Sequence, residues 1–490
     1  MKRVALILVV LLSGFGGEVA GQAMEEIGSR GDTLFLSLEG AVRRAVQESE
    51  EMEAAKATLA QAEAQVTQAT AGALPQIDAN VTYNRAIKTI FDDATEIPGI
   101  DRSEIPAAFD LSRPPEDRFD DLSALMSQDF MSALFSGLPF GRKNTYLATL
   151  TLAQPIFVGG KVGAALRVAR HFRAAATKQV EEAEAEITLQ IRTAYLTAGL
   201  AQRLHAIALE SQRVASEHLA QVQDFFDAGT ASKFDLLRAR VDLENRDPVV
   251  VQAENGATVA LLDLKRLANI PAEQPVVLTT ELDPTLDPVD EAGLRHSVAQ
   301  RPALEAAREA VHMREEAIKI AKGDRLPTVS FLGTMGFQAF PNNAAPPGFD
   351  EWRNDWSIAL AVSVPIFDGF RTRGSVDQAR ADLKLAQLDE IQMKEGLDLQ
   401  LEAALAEYRT ARAQVLARRE TAELANQTLE LAEVRFASGL STQLEVSDAA
   451  LLYDQANVNE VQALFDYVRT LAVLERLSGG EMNLMEDTGS

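Results

Sequence analysis

The 490-residue chain contains no cysteine. This absence excludes disulfides, thiolate metal sites, cysteine nucleophiles and a lipidated N-terminal cysteine. Basic residues are also scarce, because 47 lysine and arginine residues stand against 72 acidic ones and leave a net charge of -25. A chain with this charge repels nucleic acid phosphates and anionic lipid headgroups. We therefore predict that it has no nucleic acid partner.

Motifs of enzymes, cofactor sites and metal sites are missing as well. The segment "PIFVGGKV" fails as a phosphate loop, because Pro155 replaces its first glycine and Val162 replaces its hydroxyl residue. No i, i+4 pair and no metal-ligand spacing occurs among the five histidines, which are His171, His205, His218, His296 and His312. With no nucleophile motif either, the sequence predicts no enzymatic activity, no cofactor and no metal.

Long hydrophobic runs are confined to the N-terminus. Lys2 and Arg3 precede a short apolar run from Val4 to Leu12, and small and polar residues follow up to Ala23. The pattern is typical of a secretory signal peptide over residues 1–23, since the run is too short for an uncleaved membrane anchor. No later segment is long enough to span a bilayer as an uncharged helix, but membrane strands give a much weaker signal and stay open.

One phrase occurs twice, as "PIFVGG" from Pro155 and "PIFDGF" from Pro365, 210 residues apart. The same offset places "FFDAGTASKFDLLRA", which begins at Phe225, on "RFASGLSTQLEVSDA", which begins at Arg435. Upstream the offset becomes 252, so the first copy carries 42 additional residues between Pro75 and Pro155. Internal repeats of this kind predict two copies of one structural unit.

Each repeat reads as helix, strand, strand, long helix and helix. The predicted organisation is a signal peptide at 1–23, a first repeat at 24–270, a proline-rich linker at 271–288, a second repeat at 289–479 and a C-terminal tail at 480–490. The strands are predicted at about 75–85 and 146–155 in the first repeat, and at about 327–337 and 356–365 in the second.

The long helix of each repeat shows the period of a coiled coil. From Gly160 to about Phe226 the chain has no proline and is rich in alanine and charged residues. Apolar residues recur there at 4-3-4 spacing, namely Ile187, Ile191, Ala194 and Ala198, with Leu397, Leu401, Ala404 and Tyr408 in the second copy. A helix of about 65 residues is on the order of 100 Å long and needs partner helices along its length.

Shorter helical segments are the predicted partners of the long helices. They lie near 36–72, 231–270, 289–323 and 441–478. Pro248 is predicted to kink the second of them or to start it afresh.

The strands alternate between large apolar and small residues. From Trp356 to Val364 the even positions are large and apolar, whereas the odd ones are serine and alanine. This alternation is required of a transmembrane β-barrel strand. A strand on a soluble core alternates in the same way, but coiled-coil helices leave no obvious soluble core for four strands to cover.

The ends of the strands carry proline and glycine. Pro155 and Pro365 are predicted to end their strands, because proline lacks the amide hydrogen that a ladder needs. Gly159, Gly160 and Gly369 are predicted to let the backbone turn from strand to helix.

Four strands cannot close a barrel, and lipid does not tolerate an open sheet edge. Two chains would supply eight strands around a nearly filled interior, whereas three would supply twelve strands around a lumen. We therefore predict a homotrimer with its strands in outer membrane lipid.

The repeated phrases "LAQPIFVGGKV" and "VSVPIFDGFRT", together with the two segments from Phe225 and Arg435, resemble the TolC-type outer membrane efflux proteins, also called outer membrane factors. The resemblance covers nearly the whole mature chain. It implies an all-α fold with a small membrane β part, in which a trimeric 12-stranded β-barrel sits on a long α-helical periplasmic tunnel. The loops at about 86–145 and 338–355 would be extracellular.

The resemblance also implies a function. The chain would be the outer membrane channel of a tripartite efflux or type I secretion system, a passive duct whose partners are a periplasmic adaptor (membrane fusion) protein and an inner membrane pump. Small molecules and polypeptides both remain open as the exported substrate. The alternative is a soluble periplasmic coiled-coil scaffold protein, in which the strand pairs are small capping hairpins.

Two groups of site residues follow from the resemblance. The periplasmic entrance or gate would contain Asp235, Phe436, Ser441, Glu445 and Asp448. The hairpin tips that contact the adaptor would contain Gly229, Thr230, Arg435, Gly439 and Leu440.

The gate departs from the family at two positions. Where the family bonds an aspartate of the first tip to a tyrosine and an arginine of the second, this chain has Asp235, Phe436 and Ser441. That latch cannot form, so we expect a looser resting gate that depends on the packing of Phe436.

Overall fold

The computed structural model describes residues 33–88, 112–120, 122–123, 142–280, 286–341 and 343–479. The predicted signal peptide, the C-terminal tail and most of the loop at 86–145 lie outside the described residues.

Outside the loop at 86–145, the described residues of the first repeat form strands and helices. In chain order they are β1 (Leu34–Leu36), α1 (Leu38–Glu48), α2 (Glu50–Ala71), β2 (Gln76–Arg85), β3 (Asn144–Val158), α3 (Lys161–Asp227) and α4 (Lys233–Leu267).

The second repeat follows the same order of helices and strands. Its elements are β4 (Val276–Leu278), α5 (Glu291–Val298), α6 (Pro302–Gly323), β5 (Thr328–Ala339), β6 (Arg353–Ser363), α7 (Arg371–Ala437) and α8 (Gln443–Leu477). Helices α3 and α7 both have 67 residues, and α4 and α8 both have 35. The repeat in the sequence is therefore a repeat in the structure.

Two predictions about single helices need correction. The segment near 36–72 forms two helices, because Ser49 leaves the helical conformation and its hydroxyl accepts a hydrogen bond from the Met52 amide. Helix α4, in contrast, runs unbroken through Pro248, so the predicted restart there is wrong. Contacts to neighbouring helices flank the proline, since Arg246 pairs with Asp454 and Asp247 accepts from Gln212.

Strands β2, β3, β5 and β6 form one antiparallel sheet in that order. The edge strands are β2 and β6, and every residue of both is exposed.

The prediction that Pro155 ends its strand is wrong. Strand β3 continues to Val158, with Pro155 opposite Ser330 and a shift of register between Pro155 and Phe157. The irregularity accommodates the residue that cannot donate to the ladder. In the second repeat β6 ends at Ser363, two residues before Pro365.

The chain divides into two compact units. One comprises residues 60–175 and 307–390 and holds the four-stranded sheet. The other comprises residues 1–59, 176–306 and 391–490 and holds the largest apolar core. The eight residues of the predicted coiled-coil seams are all buried in that core.

A small parallel pair of strands lies in the second of these units and was not predicted. Leu34 of β1 pairs with Val276 of β4. The hydroxyl of Tyr195 ties the pair to α3, because it donates to the carbonyl of Leu36 and accepts from the amides of Thr279 and Thr280. Strands of three residues are too short to leave a period in the sequence.

In the part of the chain that the structure describes, no helix is both long enough and apolar enough to cross a membrane.

Candidate functional site

The turn between α3 and α4 forms the first hairpin tip. Gly229 has φ +79°, and its amide donates to the carbonyl of Phe226 at 2.9 Å. The amide of Thr230 donates to the carbonyl of Phe225 at 2.8 Å. These two bonds are the Schellman closure of a helix C-terminus, which needs a residue that tolerates positive φ.

The turn between α7 and α8 forms the second tip in the same way. Gly439 has φ +71° and donates to Phe436 at 2.9 Å, while Leu440 donates to Arg435 at 2.8 Å. The Arg435 guanidinium also donates to the Leu440 carbonyl at 3.3 Å. All five predicted tip residues therefore lie at the two hairpin turns, where they define the backbone.

Two of the three predicted gate acids lie in the first turns of the helices that follow these tips. Asp235 completes a capping box with Ser232, in which each side chain accepts from the other's amide at 3.1 Å. The amide of Glu445 donates to the hydroxyl of Thr442 at 3.4 Å, and that hydroxyl lies 3.5 Å from the Glu445 carboxylate. Asp448 lies one turn further along α8 and is exposed. Asp235 therefore has a capping role in addition to its charge, whereas the Glu445 carboxylate reaches only the Thr442 hydroxyl.

A buried glutamine holds the first turns of α4 and α8 together. With the Gln443 amide oriented to satisfy both of its groups, Nε2 donates to the carbonyl of Asp235 and Oε1 accepts from the amide of Ala239, both at 3.2 Å. The predicted gate acids Asp235 and Glu445 therefore lie in the first turns of two helices that contact each other.

Phe436 is half-buried in an aromatic cluster between α3 and α7. Its ring centroid lies 5.6 Å from that of Phe225 and 5.3 Å from that of His218. The other predicted gate residue of this tip, Ser441, donates its hydroxyl to the carbonyl of Ala432 at 3.3 Å.

Sequence reasoning missed His218. Among the described residues its Nε2 is buried and has no hydrogen-bond partner. Burial lowers the pKa of His218, and the charge of Asp242 opposes that shift. No spacing rule could have found this residue, because it joins the tip only through packing between helices.

The turns from strand to helix lie in the unit that holds the sheet. Gly159, Gly160 and Gly369 all have positive φ. Phe370 occupies the position of the repeat that corresponds to Gly160, and it also has positive φ, at 65°. An L-residue with a bulky side chain is strained in this conformation.

The two edge strands of the sheet expose large apolar side chains. Trp356 is 79% exposed on β6 and Val81 is 75% exposed on β2. Further exposed side chains of the same strands are Ile358, Leu360 and Val362, with Ile77. Exposed apolar side chains grouped along a strand in this way mark contact with a partner or with a membrane.

The family described as outer membrane efflux protein matches residues 121–269 and 294–480, one stretch in each repeat. The chain belongs to this family. Protein CyaE of Bordetella pertussis is 27% identical over 278 residues, which cover 56% of this chain and 57% of CyaE. Outer membrane protein TolC of Vibrio cholerae is 22% identical over 322 residues, which cover 64% of this chain and 72% of TolC. The chain thus spans less than two thirds of the length of CyaE.

Solved structures show the same fold. The CmeC outer membrane channel of Campylobacter jejuni superposes with a TM-score of 0.69 at 18% identity, over 92% of this chain and 87% of CmeC. The TolC-type resemblance, the mainly helical fold with a small β part and the outer membrane location with a periplasmic helical domain are confirmed. The family description, outer membrane efflux protein, agrees with the channel hypothesis and not with the soluble scaffold.

Proposed function

We propose that the chain is the passive outer membrane duct of a tripartite efflux or type I secretion system. It acts as a homotrimer with a periplasmic adaptor protein and an inner membrane pump, which supplies the energy. The observation that carries this proposal is the four-stranded sheet with two exposed apolar edge strands. We assign no catalytic step and no cofactor to the duct.

The geometry of the sheet supports closure between copies. Because each neighbouring pair in the order β2, β3, β5, β6 is antiparallel, β2 and β6 run in opposite directions. Strand β6 of one copy can therefore pair with β2 of the next and continue an antiparallel sheet. Three copies give twelve strands around a lumen, and the closed sheet leaves no polar edge in lipid.

The helices also expose apolar side chains that a neighbouring copy would cover. On α4 these are Leu237, Val241 and Val259, and on α7 they are Leu416, Leu424 and Leu431. Large apolar residues that repeat along solvent-exposed helix faces indicate helix partners outside the single chain.

The tips offer an adaptor an apolar surface. Leu440 is 72% exposed at the second tip, and Phe234 is 70% exposed at the start of α4. The backbone around them is rigid, because both turns are closed by the Schellman bonds. A partner that presents apolar helix ends would cover these side chains.

We propose that Asp235, Glu445 and Asp448 line the gate. Phe436 and Ser441 support it through their contacts within each chain. A trimer would bring up to nine carboxylates around one axis, since each copy contributes three. Carboxylates between low-dielectric walls attract cations and bind multivalent cations most strongly.

Charge removal at the second tip tests this assignment. In planar-bilayer recordings we expect the double variant Glu445→Gln and Asp448→Asn to lose cation preference and block by trivalent cations. The Thr442 hydroxyl caps α8 through the backbone amide of residue 445, which the substitution leaves in place, so helix α8 should stay intact.

The control is Glu254→Gln, which removes an exposed acid of α4 away from the tip. It should leave selectivity unchanged. If the double variant conducts with the selectivity of the wild type, these acids do not line the constriction. Cell fractionation tests the duct function as a whole. If the protein is recovered with the soluble periplasmic proteins, the proposed function is wrong.

A further inference from the structure

Two histidines lie side by side on neighbouring helices of the unit that holds the sheet. His171 belongs to α3 and His312 to α6, and their ring centroids are 5.4 Å apart with 36° between the ring planes. Both side chains are partly exposed to solvent. They are far apart in sequence, so their spacing along the chain gives no hint of this pair.

A carboxylate holds the same nitrogen of each ring. Nδ1 of His171 lies 2.6 Å from Oε2 of Glu309, and Nδ1 of His312 lies 3.2 Å from Oε2 of Glu315. An ionised carboxylate only accepts, so the proton of each neutral imidazole is on Nδ1 and the lone pair is on Nε2. The carboxylate–histidine arrangement is the one that orients metal-binding imidazoles in proteins.

We propose that His171 and His312 together bind one divalent late transition-metal ion through their Nε2 atoms. With metal–nitrogen bonds of about 2.1 Å, the ion would lie roughly 3.2 Å from each ring centroid. Rings centred 5.4 Å apart then subtend an angle of roughly 115° at the ion, which is close to tetrahedral. The site requires both side chains to turn so that their Nε2 lone pairs point at the same ion.

The two imidazoles supply half of a tetrahedral set, and water completes it. Among the described residues, no group of three or more His, Asp or Glu side chains is arranged to hold a metal. Imidazole ligands favour Zn²⁺, Ni²⁺ and Cu²⁺ over Mg²⁺ and Ca²⁺. The site therefore selects by ligand type and binds more weakly than a closed structural zinc site.

Charged side chains of both signs surround the pair. Arg167 lies one turn before His171, and its guanidinium pairs with Glu316 at 2.8 Å. Glu309 and Glu315 add negative charge beside the rings. Because the ligands come from two helices, a bound ion ties α3 to α6 and stabilises their packing.

Titration of the full-length chain in detergent, without a polyhistidine tag, tests the site with Zn²⁺ alone. We expect one ion per chain by calorimetry. His171→Gln and His312→Gln should each weaken binding by more than about tenfold, and Glu309→Gln by about 10- to 100-fold, because it orients a ligand. His205→Gln, another histidine of α3, is the matched control and should bind as the wild type does.

A spectroscopic readout separates ligation from an indirect effect. Bound Cu²⁺ should show coupling to two imidazole nitrogens in electron paramagnetic resonance, and to one in either single variant. Zn²⁺ should raise the thermal stability of the wild type but not that of the double variant His171→Gln and His312→Gln.

The proposal is wrong if the wild type binds no Zn²⁺, or if the double variant binds it as the wild type does. If the double variant fails to fold, Zn²⁺ binding by the single variant His312→Gln tests the proposal, because His312 is half-exposed. Unchanged Zn²⁺ binding by that variant would also contradict the proposal. None of these measurements depends on transport, so their outcome is independent of the duct function.

Discussion

Gly159 and Gly160 both turn the chain from β3 into α3, but their surroundings differ. A Cβ on Gly159 would lie 2.3 Å from the backbone oxygen of Gly323, at the end of α6. A Cβ on Gly160 would meet nothing within 4 Å. The first glycine is needed for close approach and for its positive φ, whereas the second is needed for φ alone.

Alanine substitutions should separate these two requirements. Gly160→Ala should cost about 1–2 kcal/mol of unfolding free energy, the price of an L-residue in the left-handed region. Gly159→Ala should cost clearly more, because the backbone of α6 must also move. Chemical unfolding of the detergent-solubilised chain measures both, and equal losses would mean that the contact with Gly323 is not formed.

His218 makes the packing of the tip sensitive to pH. Burial lowers its pKa from the usual 6.5, so a loosened tip takes up the proton at a higher pH than the packed tip does. Packing against Phe436 is therefore fully stable above pH 6.5 and weakens as the pH falls below it. The negative charge of Asp242 on α4 reduces this shift. Burial beside Glu217 and Glu430 raises the pKa of Glu433 on α7, so the contribution of Glu433 to stability increases as the pH falls, opposite to that of His218.

Hydrogen exchange at the tips should show this dependence. Between about pH 7.5 and pH 5.5, across the range where histidine titrates, we expect peptides around Phe225 and Phe436 to lose protection in the wild type. His218→Gln should remove the loss, and His205→Gln should keep it. An identical pH profile in His218→Gln would show that another group controls the packing.

At the scale of elements, Pro248 lies in the interior of helix α4, where a proline does not add to the stability of the helix. Proline in a helix interior removes one hydrogen bond and costs about 3 kcal/mol. Pro248→Ala should therefore raise the unfolding free energy, by up to about that amount. Pro302 begins α6, where proline is well tolerated, so Pro302→Ala should give no gain. Equal responses in thermal unfolding would mean that contacts around Pro248 already compensate for the lost bond.

The helices and strands were predictable because their patterns are long. Seam residues such as Ile191 and Leu401 repeat over many turns, and both are buried. Local exceptions were not predictable. The irregular pairing after Pro155 depends on the partner strand β5, and the helical conformation at Pro248 depends on contacts to α3 and α8.

The candidate site divides in the same way. The tip glycines and helix caps are local, so their spacing in the sequence identifies them. The pairs His218 with Phe436 and His171 with His312 form only when helices pack, and no local signal precedes them. Phe370 differs from both groups. Its match to Gly160 in the repeat predicts a positive φ, although a phenylalanine disfavours that conformation.

At the scale of the whole molecule, the account depends on the open sheet. A single chain leaves β2 and β6 unpaired with each other, and both present apolar side chains outward. In the proposed duct three copies join at these edges, whereas two copies would form a barrel without a useful lumen. Closure between copies is therefore the central claim.

Cysteine cross-linking between edge strands in the outer membrane tests that claim most directly, since the natural chain has no cysteine to interfere. Asn80→Cys on β2 is combined in turn with Ser357→Cys, Ala359→Cys or Ala361→Cys on β6, and the control places cysteines at Thr151 and Thr334, which pair inside one sheet. We predict covalent species up to the trimer for at least one edge pair, and monomer alone for the control. A ladder that stops at the dimer, or no cross-link between chains in any edge pair, would contradict the account.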